Sequence, residues 1–262
     1  MPELPDLEVF KENVFNRLTS KKLLDVNVCN AMKVNASPQI FAEEICGKTL
    51  LTINRAGKEL LFVFPGDKAV SAHLMLQGKI SILDGSEGMD KIAAKIFAFR
   101  FEEQTIVFSD FDGLCSIKYP PIAGKAPDAF DEAFTPAYLL AIAKKKPRTN
   151  VKAFLIDQNI VRGIGNAYAD EILWDAMISP HSAVGKIPDD ILEKLYDSIH
   201  SVLRDAILQI KAISPDIISG EVRSFLKVHN RALKTTETGA RIRVEKIASK
   251  TTYYTDEQVL YF

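Results

Sequence analysis

Two hydrophobic periods divide this chain, and no all-α or all-β fold accommodates both. Between Lys22 and Tyr119 the sequence breaks into short runs: KLLDVNVCN, TLLTINRAG, ELLFVFPG, KAVSAHLML, GKISILDG, KIFAFRFEEQ and QTIVFSDFDG. They are rich in β-branched and aromatic residues and are punctuated by Gly, Asp and Pro, the composition of strands and turns. Strands this short and this numerous bury their apolar faces by pairing two sheets, so a sandwich is expected. Past the Pro-, Gly- and Ala-rich YPPIAGKAPDAFDEAFTP the period becomes helical, in PAYLLAIAKKK, NVKAFLIDQ, NAYADEILWDAM and PDDILEKLYDSIHSVLRDAILQIKA. Strand patterns return at ARIRVEKI and KTTYYT. The expectation is an α+β protein. A β-sandwich with a leading helix covers 1–121, a linker 122–135, a helical domain 136–220, and a β-hairpin finger 221–262.

Composition narrows the function classes. No apolar run approaches a membrane span, and the charged N-terminus lacks the apolar core of a signal peptide. Cys29, Cys46 and Cys115 are scattered without ligand spacing and read as reduced thiols of a cytoplasmic protein. His73, His181, His200 and His229 are equally dispersed, so no metal and no cofactor is expected. The net charge of -1 is no nucleic-acid signature, so any contact with DNA must come from local patches. One is Lys144, Lys145, Lys146, Arg148 and Lys152; a second is the tail, with Arg223, Lys227, Arg231, Lys234, Arg241, Arg243, Lys246 and Lys250. The lysine run reads equally as a solvated helix end whose cations complement the dipole.

Two short stretches carry chemistry. The chain opens MPELPDLEVF, where Pro5 and Asp6 suit the first turn of a helix continued by Leu7, Phe10, Val14 and Leu18. Pro2 and Glu3 have no purpose in that reading. In VRGIGNAYADEIL, Gly163 and Gly165 break a helical pattern and Asn166 is placed to cap the next helix. A glycine turn feeding a helix N-terminus binds phosphate without reading bases; the alternative is a plain inter-helix turn.

The chain resembles the formamidopyrimidine-DNA glycosylase/endonuclease VIII family over nearly all its length. MPELPDLE is similar to the family's N-terminal signature, RAGKELL to its segment around a catalytic lysine, and IDQNIVRGIGNAYADEIL to its helix–two-turn–helix core, in the family's order. The resemblance implies a bifunctional DNA glycosylase and abasic-site lyase. Its nucleophile is the Pro2 amine freed by removal of Met1, which forms a Schiff base with the sugar. Glu3 is implied as general acid, and Lys58 as a cation for phosphate and for the electrostatics of the site. Asn166, with Gly163 and Gly165, and Lys250 in the finger are implied to hold phosphate. The partner is duplex DNA with an oxidised base or an abasic site, bound by a monomer, in the cytoplasm and associated with the nucleoid.

Two departures from the family pattern stand out. The positions matching the zinc-ligand cysteines are Thr235, Thr238, Thr255 and Gln258, which cannot replace thiolates. A zincless finger follows, held by packing of Ile242, Val244, Ile247, Tyr253 and Tyr254. The wedge turns also differ, reading HLMLQG and SDFDGLCS. Leu76 and either Leu114 or Phe111 become the wedge candidates, and Asp112–Gly113 replaces the arginine pair that reads the opposite base. An active glycosylase with altered lesion choice is the first expectation; a weak or inactive binder of damaged or abasic DNA is the alternative.

Overall fold

The computed structural model describes residues 1–262. The chain forms two compact units, Met1–Ala123 with Ile210–Glu221, and Gly124–Gln209 with Val222–Phe262.

The first unit opens with α1 (Leu4–Leu18). Its cap is Glu3, in extended backbone: the Glu3 carboxylate accepts from the first-turn backbone while Asp6 accepts from the Glu3 N–H at 2.8 Å. This reciprocal capping box satisfies two otherwise orphaned donors. Glu3 therefore has a structural purpose that the opening sequence did not suggest. Leu7, Phe10, Val14 and Leu18 form the buried stripe of α1, as their spacing requires.

Eight strands follow in two antiparallel sheets. One runs β1 (Leu23–Val28), β6 (Lys95–Phe101), β7 (Gln104–Ser109), β5 (Lys79–Asp84). The other runs β2 (Thr52–Ala56), β3 (Glu59–Phe64), β4 (Lys68–His73), β8 (Ser116–Lys118). Aromatic rings join them: Phe62 of β3 lies 5.2 Å from Phe99 of β6 and 5.8 Å, edge-on, from Phe108 of β7. Burying each such ring contributes roughly 1.5–3 kcal/mol. A short helix, α2 (Pro38–Glu44), interrupts the strand half. The strand-dominated reading omits it, although Ser37 caps it through Ile40 N and Pro38 begins its first turn.

The second unit holds α3 (Pro136–Lys145), α4 (Val151–Ile156), α5 (Asn166–Asp175) and α6 (Asp189–Ile213), then the hairpin β9 (Arg243–Ile247) and β10 (Lys250–Tyr254). Residues 210–220, expected in the helical domain, and Glu221, expected in the finger, cluster with the first unit. The hairpin closes through Ala248–Ser249, both at positive φ, the mirror-image turn that matches strand twist. Ile242, Ile247, Tyr253 and Tyr254 are buried as expected, but Val244 is 55% exposed and does not hold the finger. Trp174 of α5, Val228, Ile242 and Tyr253 form the apolar cluster that does.

Candidate active site and nucleic-acid interface

In the first unit, the N-terminus is not frayed. Pro2 is buried and lines a cavity of about 170 Å³ with Leu76, Gln77, Gly78, Lys79, Gly220 and Glu221. The terminal amine, on Met1, is ion-paired with Glu221. Glu3, directly behind, is 4% exposed. A cyclic residue at the wall of a cavity, with a buried carboxylate beside it, is a constrained terminus of the kind that chemistry can use.

Lys58 sits in the two-residue turn between β2 and β3, after Gly57 at φ +64. Glycine first, with positive φ, is the pattern of a II′ hairpin. This turn is tied to α1: Arg55 Nε donates to Glu8 Oε1 at 2.7 Å, and its guanidinium also donates to the Gly57 carbonyl at 3.0 Å. Arg55 is nearly buried, so the link is shielded from solvent. The helix that presents Pro2 and Glu3 thus also fixes the turn that carries Lys58. Behind the turn, His73 pairs across the sheet with Glu59. Burial holds the His73 imidazole below its ordinary value; Glu59 opposes this, and the Lys58 and Lys118 cations add to it.

The two turns expected to supply a wedge are built by local hydrogen bonds. In the first, Met75 adopts φ +55 and donates its N–H to His73 Nδ1 at 3.0 Å. Gly78 N then donates to the Leu74 carbonyl at 2.9 Å. A Cβ on Gly78 would meet that oxygen at 2.1 Å, so only glycine closes the turn. Leu76 is left 56% exposed. In the second, the buried Asp110 carboxylate accepts from the backbone of Asp112, Leu114 and Cys115 at 3.0, 2.7 and 2.7 Å. That ring of bonds presents Phe111, 80% exposed, and the less exposed Leu114. Sequence reasoning passed over Asp110, whose signal is an Asp opening a glycine-containing turn.

In the second unit, the expected glycine turn joins α4 to α5. Gly163 has φ +102 and donates its N–H to Gln158 Oε1 at 3.0 Å; the Gln158 amide donates to the carbonyls of Ile156 and Ile164. Asn166 is not the cap of α5. Gly165 holds that position, and Asn166 is the first helical residue, its Nδ2 donating to the Thr251 carbonyl at 2.9 Å. The side chain reaches the finger because the hairpin lies against α5.

A buried polar centre fastens that hairpin. Lys152 and Asp170 are both 0% exposed, with Nζ 2.7 Å from Oδ1. Lys152 also donates to Thr252 Oγ1 at 2.6 Å, while Asp170 Oδ2 accepts from Tyr253 N at 2.9 Å and lies 2.7 Å from His229 Nδ1. Lys152 is therefore not part of a surface patch. Nor is the lysine run an isolated one, since Lys144 pairs with Asp189 and Lys146 with Asp157, the behaviour of a solvated helix end. A basic groove lies elsewhere: Arg223, His229, Arg231, Thr251 and Tyr253 line a depression of about 460 Å³, and exposed Lys250 opens β10. Sequence proximity could not assemble these residues.

Thr235, Thr238, Thr255 and Gln258 do not form a metal site. Thr238 Oγ1 donates to Glu257 Oε2 at 3.0 Å, and Thr255 Oγ1 reaches the same oxygen at 3.4 Å. Gln258 accepts from Thr255 N and donates to the Ile178 carbonyl, each at 2.8 Å. Thr235 bridges Arg241 through the backbone. Hydroxyls and an amide committed in this way do not fit zinc.

The chain is similar to known proteins. Residues 1–114 match the formamidopyrimidine-DNA glycosylase N-terminal domain and residues 125–216 the formamidopyrimidine-DNA glycosylase H2TH domain. The formamidopyrimidine-DNA glycosylase of Carboxydothermus hydrogenoformans is 35% identical over 207 residues, covering 78% of this chain and 76% of that one. That of Lactococcus lactis subsp. lactis is 26% identical over 97% of each. Among solved structures, the Lactococcus lactis protein in complex with abasic-site DNA superposes with TM-score 0.83 at 22% identity, covering 97% of each chain. Its complex with Fapy-dG-containing DNA gives TM-score 0.83 at 23% identity, over 97% of this chain and 98% of that one. At those identities the superpositions speak to the fold.

Proposed function

The chain belongs to the formamidopyrimidine-DNA glycosylase family, and from that premise we propose that it excises oxidised bases from duplex DNA and cleaves the resulting abasic site. The observation that carries this reading is the N-terminus: Pro2 is held at the wall of a cavity by a capped helix that also fixes the Lys58 turn. Removal of Met1 makes the Pro2 nitrogen a secondary amine, which titrates well below lysine and keeps a neutral fraction near neutral pH. Its lone pair attacks C1′ of the damaged nucleotide. The glycosidic bond breaks with its electrons going to the base, the attacking nitrogen sheds its proton to solvent, and the base takes up one proton from solvent as it leaves. Glu3 delivers a proton to the ring oxygen as the sugar opens, and the nitrogen lone pair forms the iminium. Loss of a C2′ proton then expels the 3′ phosphate; repetition at the other side expels the 5′ phosphate, and water releases the sugar fragment. The Lys58 cation favours the neutral amine and meets phosphate.

The second unit supplies the grip. Asn166 at the start of α5, the turn with Gly163 and Gly165, Lys250 of the finger, and the groove of Arg223 and Arg231 offer phosphate contacts that carry no sequence information. Leu76 and Leu114, with exposed Phe111, suit the gap left by a flipped nucleotide. The finger is zincless, held by its apolar cluster and the Lys152–Asp170 centre. A second reading, a weak or inactive binder of damaged DNA, is favoured by Asp112, an acid exposed in the wedge loop. Borohydride reduction of the protein with abasic-site duplex distinguishes them. The enzyme yields a covalent adduct that Pro2→Gly removes. Retarded DNA with no adduct in the Met1-processed protein overturns the catalytic reading.

A further inference from the structure

The second unit contains a cavity that neither DNA contact nor base excision uses. About 230 Å³ in volume, it lies between α5, α6 and the segment 225–227. Its apolar wall is Trp174, Tyr168, Phe225 and Leu226; its charged wall is Asp175 of α5 and Asp205 of α6. Both aspartates are exposed and neither is ion-paired. Glu171, also on the wall, is already committed, accepting the backbone N–H groups of Lys227, Val228 and His229 at 2.9, 2.8 and 2.6 Å. Lys227 is the cation among the lining residues; it stands 5.7 Å above the Trp174 ring and pairs with Glu237 at 3.2 Å. The indole N–H of Trp174, a residue 8% exposed, is buried without an acceptor.

We propose that this cavity binds a small organic cation: an ammonium on a short aromatic or aliphatic stem. The aromatic wall takes the stem and attracts the positive charge to its ring faces. The two unpaired carboxylates complete the neutralisation. The volume admits on the order of ten non-hydrogen atoms, given the ~30 Å³ each water occupies in the liquid. A concave, mostly apolar site with few convergent polar groups is the general form of a small-molecule pocket. The site is independent of the excision chemistry and stands or falls without it.

Trp174 is the protein's single tryptophan, so indole emission comes from the wall of the cavity with no contribution from another site. The probe is 2-phenoxyethylamine, and 2-phenoxyethanol is its uncharged isostere. Titration of the full chain with the amine is expected to give a saturable change in emission, with the alcohol about tenfold weaker or worse. Asp175→Asn with Asp205→Asn is expected to lower amine affinity to that of the alcohol while leaving the unfolding midpoint in place. Asp205→Asn alone, at an exposed helix position, serves if the pair fails to fold, and reduces the preference in part. Equal binding of the two compounds, undiminished amine binding by the variants, or no saturation below roughly 10 mM, a level at which binding is negligible, overturns the proposal.

Discussion

Truncating Asp170 tests what holds the finger to the helical unit. Its carboxylate is 0% exposed and faces Lys152 Nζ at 2.7 Å, Tyr253 N at 2.9 Å and His229 Nδ1 at 2.7 Å. Asp170→Ala removes the carboxylate from a fully buried ammonium that also donates to Thr252 Oγ1 and the Thr251 carbonyl. Breaking one side of a buried pair costs roughly 3–5 kcal/mol, because the surviving charge cannot recover its hydration. Removing both charges, as Lys152→Met with Asp170→Leu, replaces the pair by apolar volume and is expected to cost less than either single change. The assay is urea unfolding followed by Trp174 emission, which reports this unit because Trp174 packs against Val228, Ile242 and Tyr253 of the finger side. A single-variant loss under about 1 kcal/mol, the range of exposed pairs, refutes the reasoning. So does a double variant less stable than Asp170→Ala.

Further outcomes follow from the same geometry. Ala248 and Ser249 both have positive φ, so Ala248→Asn with Ser249→Gly is expected to stabilise the hairpin by about 1 kcal/mol and slow its proteolysis. Chelators are expected to leave abasic-DNA affinity unchanged, with no zinc released on denaturation; metal analysis with gel shift decides. His73 and His200 are both held below the ordinary imidazole value, chiefly by burial. The unfolded chain then binds more protons, so stability is full above about pH 6.5 and falls as acid carries pH through the lower folded values. His200 has no hydrogen-bond partner at either nitrogen, so His200→Phe is expected to flatten that acid arm, measured by urea unfolding across pH.

The division into strand half and helical half was written in the sequence, because hydrophobic period is a local property that each element carries alone. So were the N-terminal helix, the glycine turn before α5 and the finger hairpin, all made by residues within a few positions of one another. Pro2, Glu3, Lys58 and Asn166 are candidates by their order along the chain, although Asn166 as a cap was not what folding produced. What the tertiary structure decided were pairings between distant segments. Lys152 looks like one more basic residue after KKKPR, yet Asp170 and Thr252 bring it to the centre of a buried network. Arg55 is an unremarked strand residue until Glu8 and the Gly57 carbonyl make it the link between α1 and the Lys58 turn. Desolvation explains both cases. A charge costs little in the unfolded chain and a great deal once buried, so its partner is chosen by whatever the packed backbone brings within reach, which no local pattern records.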